Sequence, residues 1–132
     1  MKLFDTSSII NLCGNGREGL LYSEYTLPLA IYEVGNAIWL QVYISKAITL
    51  DEGIKTLDAI VGVVETMKKI APEDPVEVLK LAVTEGLTYY DAAYFCTAMK
   101  DNLTLVTDDA RLQKAAGGHI TIINSDEAKE KM

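Results

Sequence analysis

The sequence has few of the residues that mark secreted or membrane proteins. Cys13 and Cys96 are the only cysteines among 132 residues, which is too few for a disulfide framework. Both lie in apolar stretches, so we expect free, buried thiols in a reducing compartment. No apolar run is long enough to span a bilayer, and the first residues do not form a secretory signal. These absences predict a cytoplasmic protein without membrane contact.

Two familiar catalytic signatures are also missing. The single histidine, His119, lies in a Gly-Gly-His segment with no evident nucleophile partner, which argues against a serine or cysteine triad. No glycine-rich phosphate-binding loop is present, which argues against nucleotide binding of that type. If the chain is an enzyme, its chemistry must come from other side chains.

Positive charge is scarce in this chain. Lysine and arginine number 12 against 19 aspartate and glutamate residues, which gives a formal net charge of −7. Broad, non-specific binding of nucleic acid needs a basic face, which this composition does not favour. Nucleic acid is still a possible substrate, because a bound metal can offset the negative charge of acids that share one pocket. With 49% apolar and 23% charged residues, we expect one globular domain over residues 1–132.

Short apolar segments alternate with longer stretches of helical periodicity. Three helix starts carry recognisable signals: Pro28 as a first-turn proline, Thr49 in a capping box with Glu52, and Ser125 as an N-cap. The alternation predicts an α/β fold with a short-stranded parallel sheet. The predicted strands are residues 2–4, 25–27, 68–71, 103–106 and 120–123.

Acidic residues fall at one kind of place in this pattern. Asp5 follows the first predicted strand, and Asp108 and Asp109 follow the fourth. Glu33 lies in the early turns of the helix after the second strand, and Asp91 in the first turn of its own helix. Ligands bind beyond the carboxyl ends of the strands in an open parallel sheet. We therefore expect these carboxylates to meet in one pocket.

Such a cluster predicts a divalent metal site. Two like charges about 4 Å apart cost roughly 4 kcal/mol at an effective dielectric near 20, so a cation or bound protons must offset the repulsion. Ligands that are all oxygen suit Mg²⁺ or Mn²⁺. Either ion activates water and stabilises charge that builds on a phosphate. The sequence thus favours metal-dependent cleavage of a phosphate ester.

A purely structural interpretation exists for most of these acids. Asp5 is placed to cap a helix, as is either Asp108 or Asp109, and Asp91 completes a capping-box pattern with Thr88. Glu33 lies near an apolar helix face and needs a polar partner there. The metal site therefore depends on the joint pattern. The aromatic residues are predicted to be core or interface residues: Tyr32, Trp39, Tyr43, Tyr89, Tyr90 and Tyr94.

Four segments resemble, in order and spacing, the motifs of PIN domains. In that register Asp109 is the site residue and Asp108 the variable one. The segments are FDTSSII (residues 4–10), IYEVGNA (31–37), TYYDAAY (88–94) and LVTDDARL (105–112). At this length the chain looks most similar to the VapC toxin subgroup of PIN-domain ribonucleases.

This resemblance implies a three-layer α/β/α fold with four or five parallel strands. It implies a Mg²⁺- or Mn²⁺-dependent ribonuclease that forms a homodimer and is blocked by a protein antitoxin. Its implied catalytic and metal-binding residues are Asp5, Glu33, Asp91 and Asp109. Its implied supporting residues are Thr6, Ser7, Thr107 and Asp108.

The leading hypothesis is thus an endoribonuclease that is the toxin of a type II toxin–antitoxin pair. Three alternatives stay open: an RNA-processing nuclease outside such a pair, a small-molecule phosphatase, and a receiver-like or protein-binding module. Haloacid-type phosphatases have a second aspartate two residues after the first, but Ser7 follows Asp5 at that spacing. A receiver has an acidic pair after its first strand, where Asp5 stands alone.

Overall fold

The computed structural model describes residues 1–130. Lys131 and Met132, the last residues of the predicted domain 1–132, lie outside the described residues. The strands are β1 (Lys2–Phe4), β2 (Tyr25–Thr26), β3 (Lys68–Lys69), β4 (Thr104–Val106) and β5 (Ile122–Ile123). The helices are α1 (Thr6–Gly14), α2 (Ala30–Trp39), α3 (Leu50–Thr66), α4 (Pro75–Glu85), α5 (Tyr89–Lys100), α6 (Ala110–Ala116) and α7 (Ser125–Glu130). A 3₁₀ turn at Glu18–Leu20 and a π-helical turn at Leu40–Ile44 complete the described elements.

All five strands run parallel in the order β3-β2-β1-β4-β5. The central strand, β1, pairs with β4 through Leu3 opposite Leu105 and Phe4 opposite Val106. The chain first builds outward from β1 to β2 and β3, and then crosses to the other side for β4 and β5. Such a reversal opens a crevice at the carboxyl ends of the central strands. The prediction of a parallel α/β sheet is confirmed.

Helices cover both faces of the sheet. Successive residues of β1 point to opposite faces, so Leu3 packs in one buried cluster and Phe4 in the other. The cluster around Leu3 includes Phe95 of α5, and the cluster around Phe4 includes Val34 of α2. Strands covered on both faces are expected to be apolar, and the buried residues of the central strands β1 and β4 are: Leu3, Phe4, Leu105 and Val106. The predicted three-layer α/β/α arrangement is confirmed.

Of the three predicted helix-start signals, one is confirmed and two are wrong. Thr49 and Glu52 form the predicted capping box at the start of α3. Pro28 is not a helical residue, because it lies in a turn that the Ala30 N–H closes on the Leu27 carbonyl. Ser125 is the first residue of α7 and not its cap. Asn124 takes that role, since its side chain and that of Glu127 bond each other's backbone N–H groups.

The predicted burial of the two cysteines is wrong in part, while an interface role for the exposed aromatic residues stays a prediction. Cys13 and Cys96 are free but only half-buried. Of the six aromatic residues assigned to core or interface, only Tyr94 is in the core, and the other five are exposed. The exposed members include Trp39 and Tyr43, which stack on each other at the solvent-facing end of α2, with ring centroids 5.6 Å apart. No helix within residues 1–130 is long and apolar enough to cross a membrane.

Candidate active site

Asp5 lies where β1 ends and α1 begins, and its carboxylate is held on both oxygens. Oδ1 accepts hydrogen bonds from the Ser8 backbone N–H (3.0 Å) and the Ser7 hydroxyl (2.8 Å). Oδ2 accepts a hydrogen bond from the Thr107 hydroxyl, which follows the neighbouring strand β4. Asp5 is only 4% exposed. Burial raises the pKa of Asp5 to about 6, and the hydrogen bonds from Thr107, Ser8 and Ser7 oppose that rise.

Glu33 reaches the same place from the first turn of α2. Its Oε1 accepts two hydrogen bonds, from the Thr6 hydroxyl at 2.8 Å and the Tyr94 hydroxyl at 2.9 Å. Burial raises the pKa of Glu33, the two hydroxyl groups lower it, and the charge of Asp91 raises it again. Burial and the charge of Glu33 raise the pKa of Tyr94, so its phenol stays protonated and can donate. Thr6 and Tyr94 are thus the polar partners that Glu33 requires.

Asp91 and Asp109 form the outer part of the cluster. Asp91 is in the first turn of α5, where its backbone N–H bonds to the N-cap hydroxyl of Thr88. Asp109 caps α6 and accepts a hydrogen bond from the Leu112 N–H at 2.9 Å. Burial and the charge of Asp109 raise the pKa of Asp91, while Arg111 lowers it. Asp91 is therefore coupled electrostatically to both Asp109 and Glu33.

The structure brings all four predicted acids into one cavity. Its volume is about 190 Å³, and it opens at the carboxyl ends of β1 and β4. The lining residues are Asp5, Thr6, Ser7, Glu33, Asp91, Tyr94 and Asp109. The cap interpretation also holds for Asp5 and Asp109, which do cap α1 and α6. One carboxylate oxygen can bond a helix N-terminus while the side chain still lines a cavity, so the two roles are compatible.

The predicted supporting residues divide into two groups. Thr6 and Ser7 line the cavity, and Thr107 lies behind it, where its hydroxyl also accepts a hydrogen bond from the Asp109 N–H at 3.1 Å. Asp108 points elsewhere: it accepts hydrogen bonds from the Asn11 side chain (2.7 Å) and the Ser125 N–H (2.8 Å). Asp108 therefore ties the loop after β4 to α1 and α7, outside the cavity.

The sequence pattern predicts only a core or interface position for Tyr94, and not its part in this cavity. The signal that identifies it is its spacing, because it lies three residues after Asp91 and therefore shares a face of α5 with that acid. The hydroxyl of a tyrosine on that face reaches the acids, while its ring packs in the core.

A second, larger depression adjoins the acidic cavity. It has a volume of about 680 Å³ and shares Thr6, Ser7 and Glu33 with the smaller cavity. Tyr32, on α2, is 81% exposed beside it. The other lining residues are Ile10, Leu29, Asn36, Ala37, Leu40 and Tyr90. We call this surface the α1–α2 groove; no lysine or arginine is among its lining residues.

Comparison with known proteins decides the family. Exonuclease VapC9 of Pyrobaculum aerophilum is 32% identical to this chain over 124 residues, which cover 91% of this chain and 89% of that protein. This chain belongs to the VapC family of PIN-domain proteins. No family model matches the chain.

Solved structures support the same assignment. The crystal structure of PAE2754 from Pyrobaculum aerophilum resembles this VapC-family chain with a TM-score of 0.83 at 29% identity, over 98% of this chain and 94% of that one. The structure of VapBC-1 from nontypeable Haemophilus influenzae gives a TM-score of 0.60 at 16% identity, over 95% of this chain and 98% of that one. At that identity the second likeness shows the shared fold alone.

The donor set of this VapC-family chain fits a hard divalent cation. Every polar group in the cavity is an oxygen, and the charges of Glu33, Asp91 and Asp109 repel one another there. Within residues 1–130, no three His, Cys, Asp or Glu side chains are grouped closely enough to hold one ion by themselves. An ion here would be held by one or two carboxylates and by water. That is the usual coordination of Mg²⁺ in proteins.

Proposed function

We propose that this VapC-family chain is a nuclease, the toxin of a toxin–antitoxin pair, and that it hydrolyses RNA with Mg²⁺ or Mn²⁺. The observation that carries the proposal is the cavity, where acids from four separate segments meet at the carboxyl ends of β1 and β4. The relative named Exonuclease VapC9 supports nuclease chemistry for this family. The proposed catalytic residues are Asp5, Glu33, Asp91 and Asp109.

The chain's own residues prepare the cavity for that chemistry. When bound, the metal supplies an activated water and stabilises charge on the phosphate. Asp5 and Glu33 are held by hydroxyl donors, so they keep their positions without a cation. The charges of Asp91 and Asp109 repel each other, and a bound ion would relieve that repulsion. Arg111, close enough to lower the pKa of Asp91, is placed to contact a substrate phosphate.

We propose internal cleavage of the RNA strand. The relative's name describes an exonuclease, so the mode of attack needs its own test. The acidic cavity continues into the α1–α2 groove through Thr6, Ser7 and Glu33, so a strand has space to run past the acids instead of ending at them. Circular single-stranded RNA separates the two modes, because only an endonuclease opens it.

The deciding experiment compares RNA cleavage by the wild type with cleavage by Asp109→Asn in Mn²⁺. Asparagine also caps helices well, so α6 keeps its start while the cavity loses a charge. We expect cleavage to fall by more than about 100-fold, beyond the loss typical of residues that only support a metal ligand. Asp58→Asn, on the exposed side of α3, is the control for the loss of one negative charge. Equal cleavage by Asp109→Asn and the wild type would refute the site.

The α1–α2 groove supports the proposal of a protein antitoxin. An amphipathic segment docks in grooves of this apolar kind, and basic residues on it would complement Glu33 and the net charge of −7. A partner seated there would also cover the acidic cavity, because the two depressions share residues. Copurification with the product of a neighbouring reading frame tests this partner, and we expect the complex to dissociate at high salt. Such a complex would distinguish a toxin from an RNA-processing nuclease.

We also propose the homodimer that the family resemblance implies. Helix α4 supports it with an apolar stripe of three exposed residues at helical spacing, Val76, Leu79 and Val83. We assign this stripe to the proposed interface because a contact between two copies would bury it. Sedimentation of the wild type and of Val83→Lys tests whether the stripe holds two copies together.

A further inference from the structure

The hydroxyl of Tyr94 is buried at the base of the acidic cavity. Tyr94 lies on α5 and is 1% exposed, yet its hydroxyl is 2.9 Å from Glu33 Oε1. The Thr6 hydroxyl donates to the same oxygen at 2.8 Å and lies 3.3 Å from the Tyr94 hydroxyl. Two donors from two different helices therefore converge on one oxygen of one carboxylate.

This arrangement leaves the two oxygens of Glu33 unequal. Oε1 is bonded to α1 through Thr6 and to α5 through Tyr94, whereas Oε2 forms no hydrogen bond with any described residue. A carboxylate held at one oxygen by two donors cannot rotate without breaking both bonds. The second oxygen is therefore presented to the cavity in one orientation.

The two donors are not equivalent. Thr6 is half-buried at the first residue of the short helix α1, so less of the fold packs around its hydroxyl. The Tyr94 hydroxyl sits at the end of a rigid ring that the core cluster packs on all sides, together with Leu3 and Phe95. Of the two, Tyr94 is the donor whose position the fold fixes.

We propose that Tyr94 is a positioning residue that acts through Glu33 and fixes this carboxylate so that Oε2 meets a divalent cation. The inference rests on the proposed function, since it takes Glu33 as a metal ligand. Tyr94 itself contacts no metal in this scheme. It sets the geometry of a ligand, as outer partners of metal sites do.

Tyr94→Phe removes only the hydroxyl and keeps the packed ring. We expect its dissociation constant for Mn²⁺, measured by titration calorimetry, to rise about 10-fold, the lower end of what losing an outer partner costs. Tyr43→Phe removes a hydroxyl from an exposed tyrosine outside the cavity and should bind Mn²⁺ like the wild type. Thermal unfolding in EDTA shows whether each variant is folded before metal is added.

A double-mutant cycle with Glu33→Ala separates positioning from a general effect on the fold. If Tyr94 acts through Glu33, adding Tyr94→Phe to Glu33→Ala changes the Mn²⁺ dissociation constant no further. Tenfold weakening in both backgrounds, or unchanged binding by Tyr94→Phe alone, overturns the proposal. A wild type that binds Mn²⁺ but cuts no RNA would refute the proposed ribonuclease while the same cycle still decides the role of Tyr94.

Discussion

Asp5 is ionised at neutral pH in a place that disfavours its charge. The burial that raises its pKa from 3.8 to about 6 outweighs three hydrogen bonds that favour the carboxylate. The folded state therefore binds a proton at Asp5 more tightly than the unfolded chain does. The contribution of Asp5 to the free energy of unfolding of the metal-free protein therefore falls as pH rises between about 4 and 6, and it stays lower above that range.

We predict that Asp5→Asn stabilises the metal-free protein at pH 7. The neutral amide avoids the burial cost of the charge and still caps α1, but its NH2 group cannot accept the hydrogen bond from Thr107, so the gain should be roughly 1–2 kcal/mol. Urea unfolding in EDTA at pH 4, 5, 6 and 7 measures it. The gain should shrink towards pH 4, where the wild-type carboxyl is protonated in the folded state. A variant whose stability parallels that of the wild type at every pH would contradict this account.

The sequence indicated the acids of the cavity but not the residues that form hydrogen bonds with them. Asp5, Asp91 and Asp109 were visible because each follows a strand or starts a helix, positions that can be identified from local patterns. The bonds from Thr107 to Asp5 and from Tyr94 to Glu33 join residues far apart in the chain. Only the pairing of β1 with β4 and the packing of α5 on the sheet bring those partners together.

Helix α3 contains two glycines in opposite environments. A Cβ added at Gly53 would lie 2.7 Å from Val42 Cγ2 and 3.3 Å from Ile38 Cγ2, because α3 packs closely there on α2 and the turn after it. A Cβ at Gly62 would meet nothing within 4 Å. Alanine favours a helix over glycine by about 1 kcal/mol at both positions. The difference in stability between the two alanine variants therefore measures the effect of packing at Gly53.

We predict that the two alanine variants change stability in opposite directions. Gly62→Ala should raise the free energy of unfolding by roughly 0.5–1 kcal/mol, since it removes unfolded-state entropy without a clash. Gly53→Ala should lower it by about 1 kcal/mol, because overpacking costs about 1–3 kcal/mol and exceeds the gain in propensity. Chemical unfolding of both variants measures the two shifts. Stabilisation by Gly53→Ala would show that α3 can move away from Val42.

Element order was predictable from hydrophobic pattern, while element ends were less so. The predicted strand at residues 120–123 is β5 at Ile122–Ile123, because the Ile120 N–H bonds back to Ala116 at the end of α6. Pro28 shows a similar limit, since proline suits a turn as well as a first helical turn. Local residue preferences permit both outcomes at such positions. Tertiary contacts select one.

At the scale of the whole molecule, the net charge of −7 and the acidic cavity both favour the binding of a cation. Like charges oppose the compact state, and a cation that binds only the folded protein relieves part of that repulsion. We predict that Mn²⁺ raises the melting temperature. A concentration of 100 times the dissociation constant corresponds to about 2.7 kcal/mol of stabilisation. Sodium chloride at equal ionic strength is the control for simple screening.

This stabilisation by Mn²⁺ should be larger at pH 7 than at pH 5. The pKa values of Asp5, Glu33 and Asp91 are all raised, so protons compete with the metal for these carboxylates as the pH falls. Asp91→Asn should remove most of the effect at pH 7, because Asp91 is coupled to both Glu33 and Asp109. Thermal unfolding at both pH values, with Mn²⁺ and with EDTA, measures this. An equal shift at pH 5 and pH 7, or one that Asp91→Asn keeps, would place the bound ion outside the acidic cavity.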